Sequence, residues 1–199
     1  AGWGPHSMTP FTHNPPTSPH ASRKRGVFTV DGPGYLAIAS PLPGLIDTLA
    51  STLNPGQLLD WHGTTLRVTD IATIDPPDFA DGHAEFRTNT PVVVKALSDP
   101  DSLITPRKGK DILPHEEGFT AALTHNLHRK ATTLGLEPEL TLHGPTWSGS
   151  KRGFATPTGR RTGAPIQIGI DADPQLLRAL WSWGLGGANS TGFGWINDR

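Results

Sequence analysis

Gly184-Leu185-Gly186-Gly187-Ala188-Asn189-Ser190-Thr191-Gly192-Phe193-Gly194 is the stretch on which the reading of this chain turns. A G-L-G bracket and a G-F-G bracket enclose five small or polar residues. Each bracket holds one apolar side chain, so both ends can be anchored in a core while the middle stays bare. Glycine admits positive φ and the close approach of another chain, and successive N–H groups of such a loop can converge on an anion. Upstream, Asp173-Pro174 supplies an N-cap carboxylate and a proline suited to a first helical turn. Leu176, Leu177, Leu180 and Trp181 then recur at helical spacing. The order predicted for the C-terminus is helix, glycine-rich loop, then a short strand over residues 192–196.

Composition bounds the rest. The 199 residues are 35% hydrophobic, enough for a packed core, and the 23 glycines and 20 prolines make much of the chain turns and loops. With no cysteine, disulfides, thiolate catalysis and cysteine-based metal sites are excluded. No apolar run reaches membrane-spanning length and no signal-peptide pattern opens the chain, so a cytoplasmic protein with no membrane partner is expected. A net charge of −1 excludes a globally basic polymer binder. Local clusters remain at Arg23-Lys24-Arg25, Arg107-Lys108 with Lys110, Arg129-Lys130, Lys151-Arg152 and Arg160-Arg161, and together they can make one face positive.

Outward from the loop, the second half reads as two extended segments (84–90 and 92–94), a polar basic loop over 98–114, and a helix over 115–134 with Phe119, Ala122, Leu123, Leu127 and Ala131 on one face. Strands at 140–143 and 166–170 flank a mobile, basic connection. The resulting order, strand, helix, strand, strand, helix, strand, is ferredoxin-like. The first half shows only the later part of such a unit. Residues 27–30 and 35–39 read as strands; Ser40 is placed to cap a helix turning Leu45, Ile46, Leu49 and Leu53 inward; residues 65–74 alternate as a half-buried strand. The expectation is an α+β chain of two ferredoxin-like (RRM-like) domains in tandem. Residues 1–80 form an incomplete N-terminal domain lacking its first strand and helix, and residues 81–199 form a C-terminal domain bearing the glycine loop.

Together these features resemble the repeat-cleaving endoribonucleases of CRISPR systems. The resemblance rests on Pro10-Phe11-Thr12, on Thr90-Pro91-Val92-Val93-Val94, on Asn126-Leu127-His128-Arg129-Lys130 and on the 184–194 loop, in the family's order. It implies binding of CRISPR repeat RNA (precursor CRISPR RNA) and a metal-independent cut, in which a 2′-hydroxyl attacks the adjacent phosphate and leaves a cyclic phosphate. That chemistry needs a base, an acid and positive charge around the phosphorane, and histidine suits the first two roles. On the resemblance, His6 is the candidate catalytic residue, five positions before Phe11. His13 and His20 are alternatives, as is a histidine upstream of Ala1.

The resemblance also assigns RNA contacts to Arg129, Lys130, Lys151, Arg152, Arg160 and Arg161, and to Gly184, Gly186, Asn189, Ser190, Gly192 and Gly194. Trp147 is a candidate for base stacking and Trp181 for the core. No cofactor is implied. His125 and His128 stand at i, i+3 but lack a third ligand in register, so no metal site is expected. Two other readings stay open: a non-catalytic RNA-binding module, and a structural subunit held by other CRISPR effector subunits. A homodimer is also left open.

Overall fold

The computed structural model describes residues 8–19, 22–24, 27–29, 32–61, 63–99, 102–156 and 159–196. His6 and His20 fall outside them. In chain order the elements are β1 (Thr12–His13), β2 (Ser22–Lys24), β3 (Val27–Thr29), β4 (Ile38–Ala39), α1 (Pro43–Thr52), β5 (Leu58–Trp61), β6 (Thr64–Arg67), β7 (His83–Arg87), β8 (Val94–Asp99), β9 (Ser102–Ile112), α2 (Phe119–Leu134), β10 (Leu140–Ser148), β11 (Arg152–Thr156), β12 (Gly159–Gly163), β13 (Ile166–Ala172), α3 (Pro174–Trp183) and a short 3₁₀ turn, Asn189–Thr191.

The second half is built on an antiparallel sheet ordered β10-β13-β7. Ile196 makes an antiparallel bridge to Thr88, just beyond β7. Numbered within that half, the order is second, third, first, fourth strand. This is the arrangement two interleaved β-α-β crossovers must produce, because each crossover leaves room for one antiparallel strand between its own pair. Along β13, Ile166, Ile168 and Ile170 point into the core with Ala84 and Phe86 of β7. The predicted face of α2 and the Leu176, Leu177 and Leu180 stripe of α3 cover them. Each isoleucine, leucine and phenylalanine among them contributes about 1.5–3 kcal/mol by leaving water. The alternate residues, among them His83, Glu85, Arg87, Gln167 and Asp171, lie on the opposite, open face. The register of β10 against β13 jumps between His143 and Trp147, where His143 pairs with Gly169 and Trp147 with Gln167.

Several expectations are corrected. The basic loop over 98–114 is the hairpin β8–β9, and the mobile connection is the hairpin β11–β12. No strand forms at 192–196 beyond the single bridge of Ile196, because the N–H groups of Leu185, Gly194 and Trp195 bond locally or to the 90–91 segment. In the first half, Ser40 does not cap α1. Its Oγ donates to the Pro10 carbonyl at 2.6 Å and accepts the Leu42 N–H at 3.1 Å, and Leu42 occupies the cap position. The leucine face of α1 is at most half-buried, with Leu45 exposed. Leu58–Trp61 and Thr64–Arg67 pair as the hairpin β5–β6, and 69–74 are exposed without strand pairing.

Candidate functional site

The site is organised by the Thr90-to-Val94 run, which lies buried and serves several elements at once. The Pro91 carbonyl accepts the Gly194 N–H at 2.9 Å, and the Val93 carbonyl accepts the Gly187 N–H at 2.8 Å. The Val92 N–H donates to Ala164 at the foot of the β11–β12 hairpin. The glycines of the loop follow from this crowding. Gly184, Gly186, Gly192 and Gly194 all have φ between 66° and 86°. A Cβ on Gly186 would meet the Val93 carbonyl oxygen at 2.7 Å, and one on Gly184 would meet that of Gly194 at 2.6 Å. Close packing, as much as bare backbone, is what the glycines provide.

Two side chains hold the loop from inside. Asn189, at the start of the 3₁₀ turn, donates through Nδ2 to the carbonyls of Leu185 (3.1 Å) and Phe193 (2.9 Å), the two residues inside the glycine brackets. Lys130, fully buried on α2, donates to Asn189 Oδ1 at 2.9 Å and to the Gly184 carbonyl at 2.5 Å, and its ammonium lies 4.9 Å from the centre of the Trp183 ring. Burial pushes this amine well below the usual lysine range, while the two oxygens and the ring's negative face favour its charged form.

Lys130 is therefore corrected as an RNA contact. Its ammonium is enclosed, and its neighbour Arg129 alone of the pair is exposed. Asn189 is buried and bonded inward for the same reason. The N–H groups of Gly184, Leu185, Gly187, Thr191, Gly192 and Gly194 are likewise used within the protein, so they do not form the anion nest the sequence suggested. Ser190 and Thr191 are the loop side chains toward solvent.

The N-terminal segment docks on this loop. Trp183 Nε1 donates to the Thr9 carbonyl at 2.8 Å, and β1 packs along the 3₁₀ turn. Thr12 is fully buried there with its hydroxyl unpartnered, and His13 stands beside Gly192, where a Cβ would lie 3.2 Å from the imidazole Cε1. The His13 ring meets Trp61 edge-on at 5.5 Å. Its Nδ1 lies 2.9 Å from the Asn14 carbonyl. A carbonyl only accepts, so this bond places the proton on Nδ1 and leaves the Nε2 lone pair available in the neutral ring.

Positive charge reaches the loop through the hairpin. Phe154 of β11 packs edge-on against Phe193 at 5.4 Å. Lys151, Arg152 and Arg160 are exposed around it, whereas Arg161 turns toward Asp111 (4.0 Å). The structure thus brings together the glycine loop, the Pro10-Phe11-Thr12 segment, His13 and the hairpin. The inward roles of Lys130 and Asn189 escape a reading by residue type. Their positions on a buried helix face and between two brackets carried the signal. Trp181 is half-buried against the core as expected, and Trp147 is exposed, with the Arg87 guanidinium 4.8 Å from its ring centre.

Comparison with known proteins agrees with this geometry. The family model described as CRISPR associated protein Cas6, C-terminal, matches residues 74–197, more than half of the chain. Among solved structures, a Cas6-related protein from Pyrococcus furiosus superposes with a TM-score of 0.72 at 15% identity, over 94% of this chain and 77% of that one. A RAMP protein described as binding different RNA substrates gives 0.72 at 17% identity, over 94% and 78%. A CRISPR associated protein Cas6 gives 0.68 at 21% identity, over 95% and 78%. At these identities the likeness shows the fold, α+β with tandem ferredoxin-like units. No curated protein matches the sequence. The match of the C-terminal family model over the whole glycine-loop half places the chain in the Cas6 family of CRISPR-associated proteins.

Proposed function

We propose that this chain binds CRISPR repeat RNA across the face formed by the glycine-rich loop, the β11–β12 hairpin and α2, and that it cuts the RNA there without a metal. Family membership supports RNA binding and processing in general. The single observation that carries the finer reading is His13, held against Gly192 with Nδ1 directed at a backbone carbonyl. In this reading Nε2 takes the proton from the 2′-hydroxyl and the oxygen attacks the adjacent phosphorus. The bond to the 5′-oxygen breaks, and that oxygen takes a proton from solvent. Arg152 and Arg160 lie on the hairpin that packs against the loop and offset the phosphorane's charge. Arg129, Lys151, Ser190 and Thr191 position the backbone rather than read bases.

The test is cleavage of an end-labelled cognate repeat RNA in EDTA. His13→Ala is expected to slow the cut by about 10²–10⁴-fold, the ordinary contribution of a general base, with RNA affinity retained. His6→Ala is the parallel variant. Loss of cleavage in His6→Ala with an unchanged rate in His13→Ala would move the base to His6. Tight binding with no cut by the unaltered chain would favour the non-catalytic RNA-binding reading.

A further inference from the structure

The open face of the central sheet carries a cluster that the proposed RNA chemistry does not use. The register places Asp171 opposite His83, and places both His143 and Glu85 opposite Gly169. Four polar side chains from three adjacent strands thus ring a position that has no side chain. His83 Nδ1 lies 2.6 Å from Asp171 Oδ1, and His143 Nε2 lies 2.5 Å from Asp171 Oδ2. One ligand atom from each of the three residues falls within 4.8 Å of the others. The glycine is needed there: a Cβ on Gly169 would lie 2.6 Å from Glu85 Oε1 and 3.3 Å from the His143 Cβ. The other ring nitrogen of His83, Nε2, is 3.9 Å from Glu85 Oε1.

We infer that His83, His143 and Asp171 form a binding site for one divalent transition-metal cation of the zinc type, with Glu85 orienting His83. Two imidazoles and a carboxylate are the donor set such ions take, and a zinc ion needs only about 2.0–2.2 Å to each nitrogen or oxygen. At that radius neighbouring ligand atoms are a little over 3 Å apart, so the cluster opens slightly to admit the ion. Binding moves each imidazole proton to the ring nitrogen that does not ligate. On His83 that nitrogen faces Glu85, the outer carboxylate that metal-bound histidines commonly engage. The scaffold is preorganised, because the inward neighbours Ala84, Ile168 and Ile170 are core residues. Nitrogen-rich donors disfavour magnesium and calcium, which take oxygen ligands. The ion would join three strands that lie far apart in sequence, and the remaining coordination positions face solvent. The cluster sits at the start of β7, whereas the glycine loop packs beyond that strand's other end. The site is therefore separate from the one proposed for cleavage.

The experiment is titration of the full chain with zinc chloride by calorimetry, with thermal unfolding followed in parallel and magnesium chloride as comparison. One equivalent of zinc is expected to bind at micromolar concentration and raise the Tm by several degrees, while magnesium leaves it unchanged. Cobalt should give visible absorption bands of a low-coordinate site. Asp171→Asn and His143→Ala are expected each to weaken zinc binding at least 10-fold and to abolish the cobalt bands. Both residues are outside the core, and a wild-type circular-dichroism spectrum would confirm folding. The double variant His125→Ala/His128→Ala, which removes the helical pair, should bind as the unaltered chain does. Zinc binding that persists in Asp171→Asn and His143→Ala, or no one-equivalent binding at all, would overturn the site.

Discussion

Lys130 shows how one residue carries the loop. A charged group with no exposure is retained where its partners cannot be replaced cheaply, and here it closes the end of α3 while gripping Asn189. Lys130→Met keeps the stem and removes the donor, leaving the Gly184 and Asn189 oxygens without it. The expected loss is about 1–3 kcal/mol, read by urea unfolding. The pH dependence has a definite sign. In the unfolded chain the amine keeps its proton up to pH about 10.4; in the fold, burial favours its release at lower pH. Unfolding therefore takes up a proton in the window below that value, and the stability of the unaltered chain relative to Lys130→Met should rise as pH increases through it. A flat difference from pH 7 to 10 would mean that the ammonium keeps its ordinary affinity for the proton. Residue identity alone made Lys130 look like a surface cation beside Arg129; only its place on the inner face of α2, in line with Leu123 and Leu127, told otherwise.

At the scale of elements, the β11–β12 hairpin is the one whose reading changed most. Its glycines, threonines and charges gave no apolar alternation, so the sequence suggested a connection without structure. What orders it is a tertiary contact, Phe154 on Phe193, together with the foot of the hairpin at Val92 and Ala164. Helices α2 and α3 and the β7 and β13 strands were legible because their apolar periodicity is long and their partners are core residues; the 192–196 segment was not, because backbone bonding there is set by the 90–91 segment. If the hairpin carries RNA, Arg152→Glu with Arg160→Glu should weaken repeat binding without changing the unfolding midpoint. It should also flatten the dependence of log K on log salt by about 0.7 for each phosphate that is no longer neutralised. An unchanged salt slope would mean that the RNA backbone is held elsewhere.

Across the whole molecule, the described contacts between the two halves include Trp183 to Thr9, β1 along the 3₁₀ turn and His13 against Gly192, with Phe79 and Asp78 meeting the second half beside the boundary. Among the described residues of the N-terminal half, α1 has no fully buried side chain. The docking of the Pro10-Phe11-Thr12 segment is therefore expected to be the weak joint. Trp183→Phe keeps an aromatic ring but deletes the Nε1 donor and leaves a gap where the larger, buried indole stood. It should cost about 1–3 kcal/mol and increase hydrogen exchange at residues 9–14 before it affects β13. Exchange rising first in the central sheet would place the weak joint elsewhere. The tandem plan and the loop's importance were readable from the order of motifs, while the joint was not, since neither Thr9 nor Trp183 belongs to any of them.

The register jump in β10 has a bearing on how this fold tolerates changes of length. Four steps along β10, from His143 to Trp147, correspond to two along β13, from Gly169 to Gln167. The surplus is even, so Trp147 emerges on the same side as His143, above Arg87. Removing one residue at 144–146 would invert every later position of the strand and drive an indole toward the isoleucines. Removing two would shorten the strand and leave its sidedness intact. Related chains that differ in length at this point should do so in pairs.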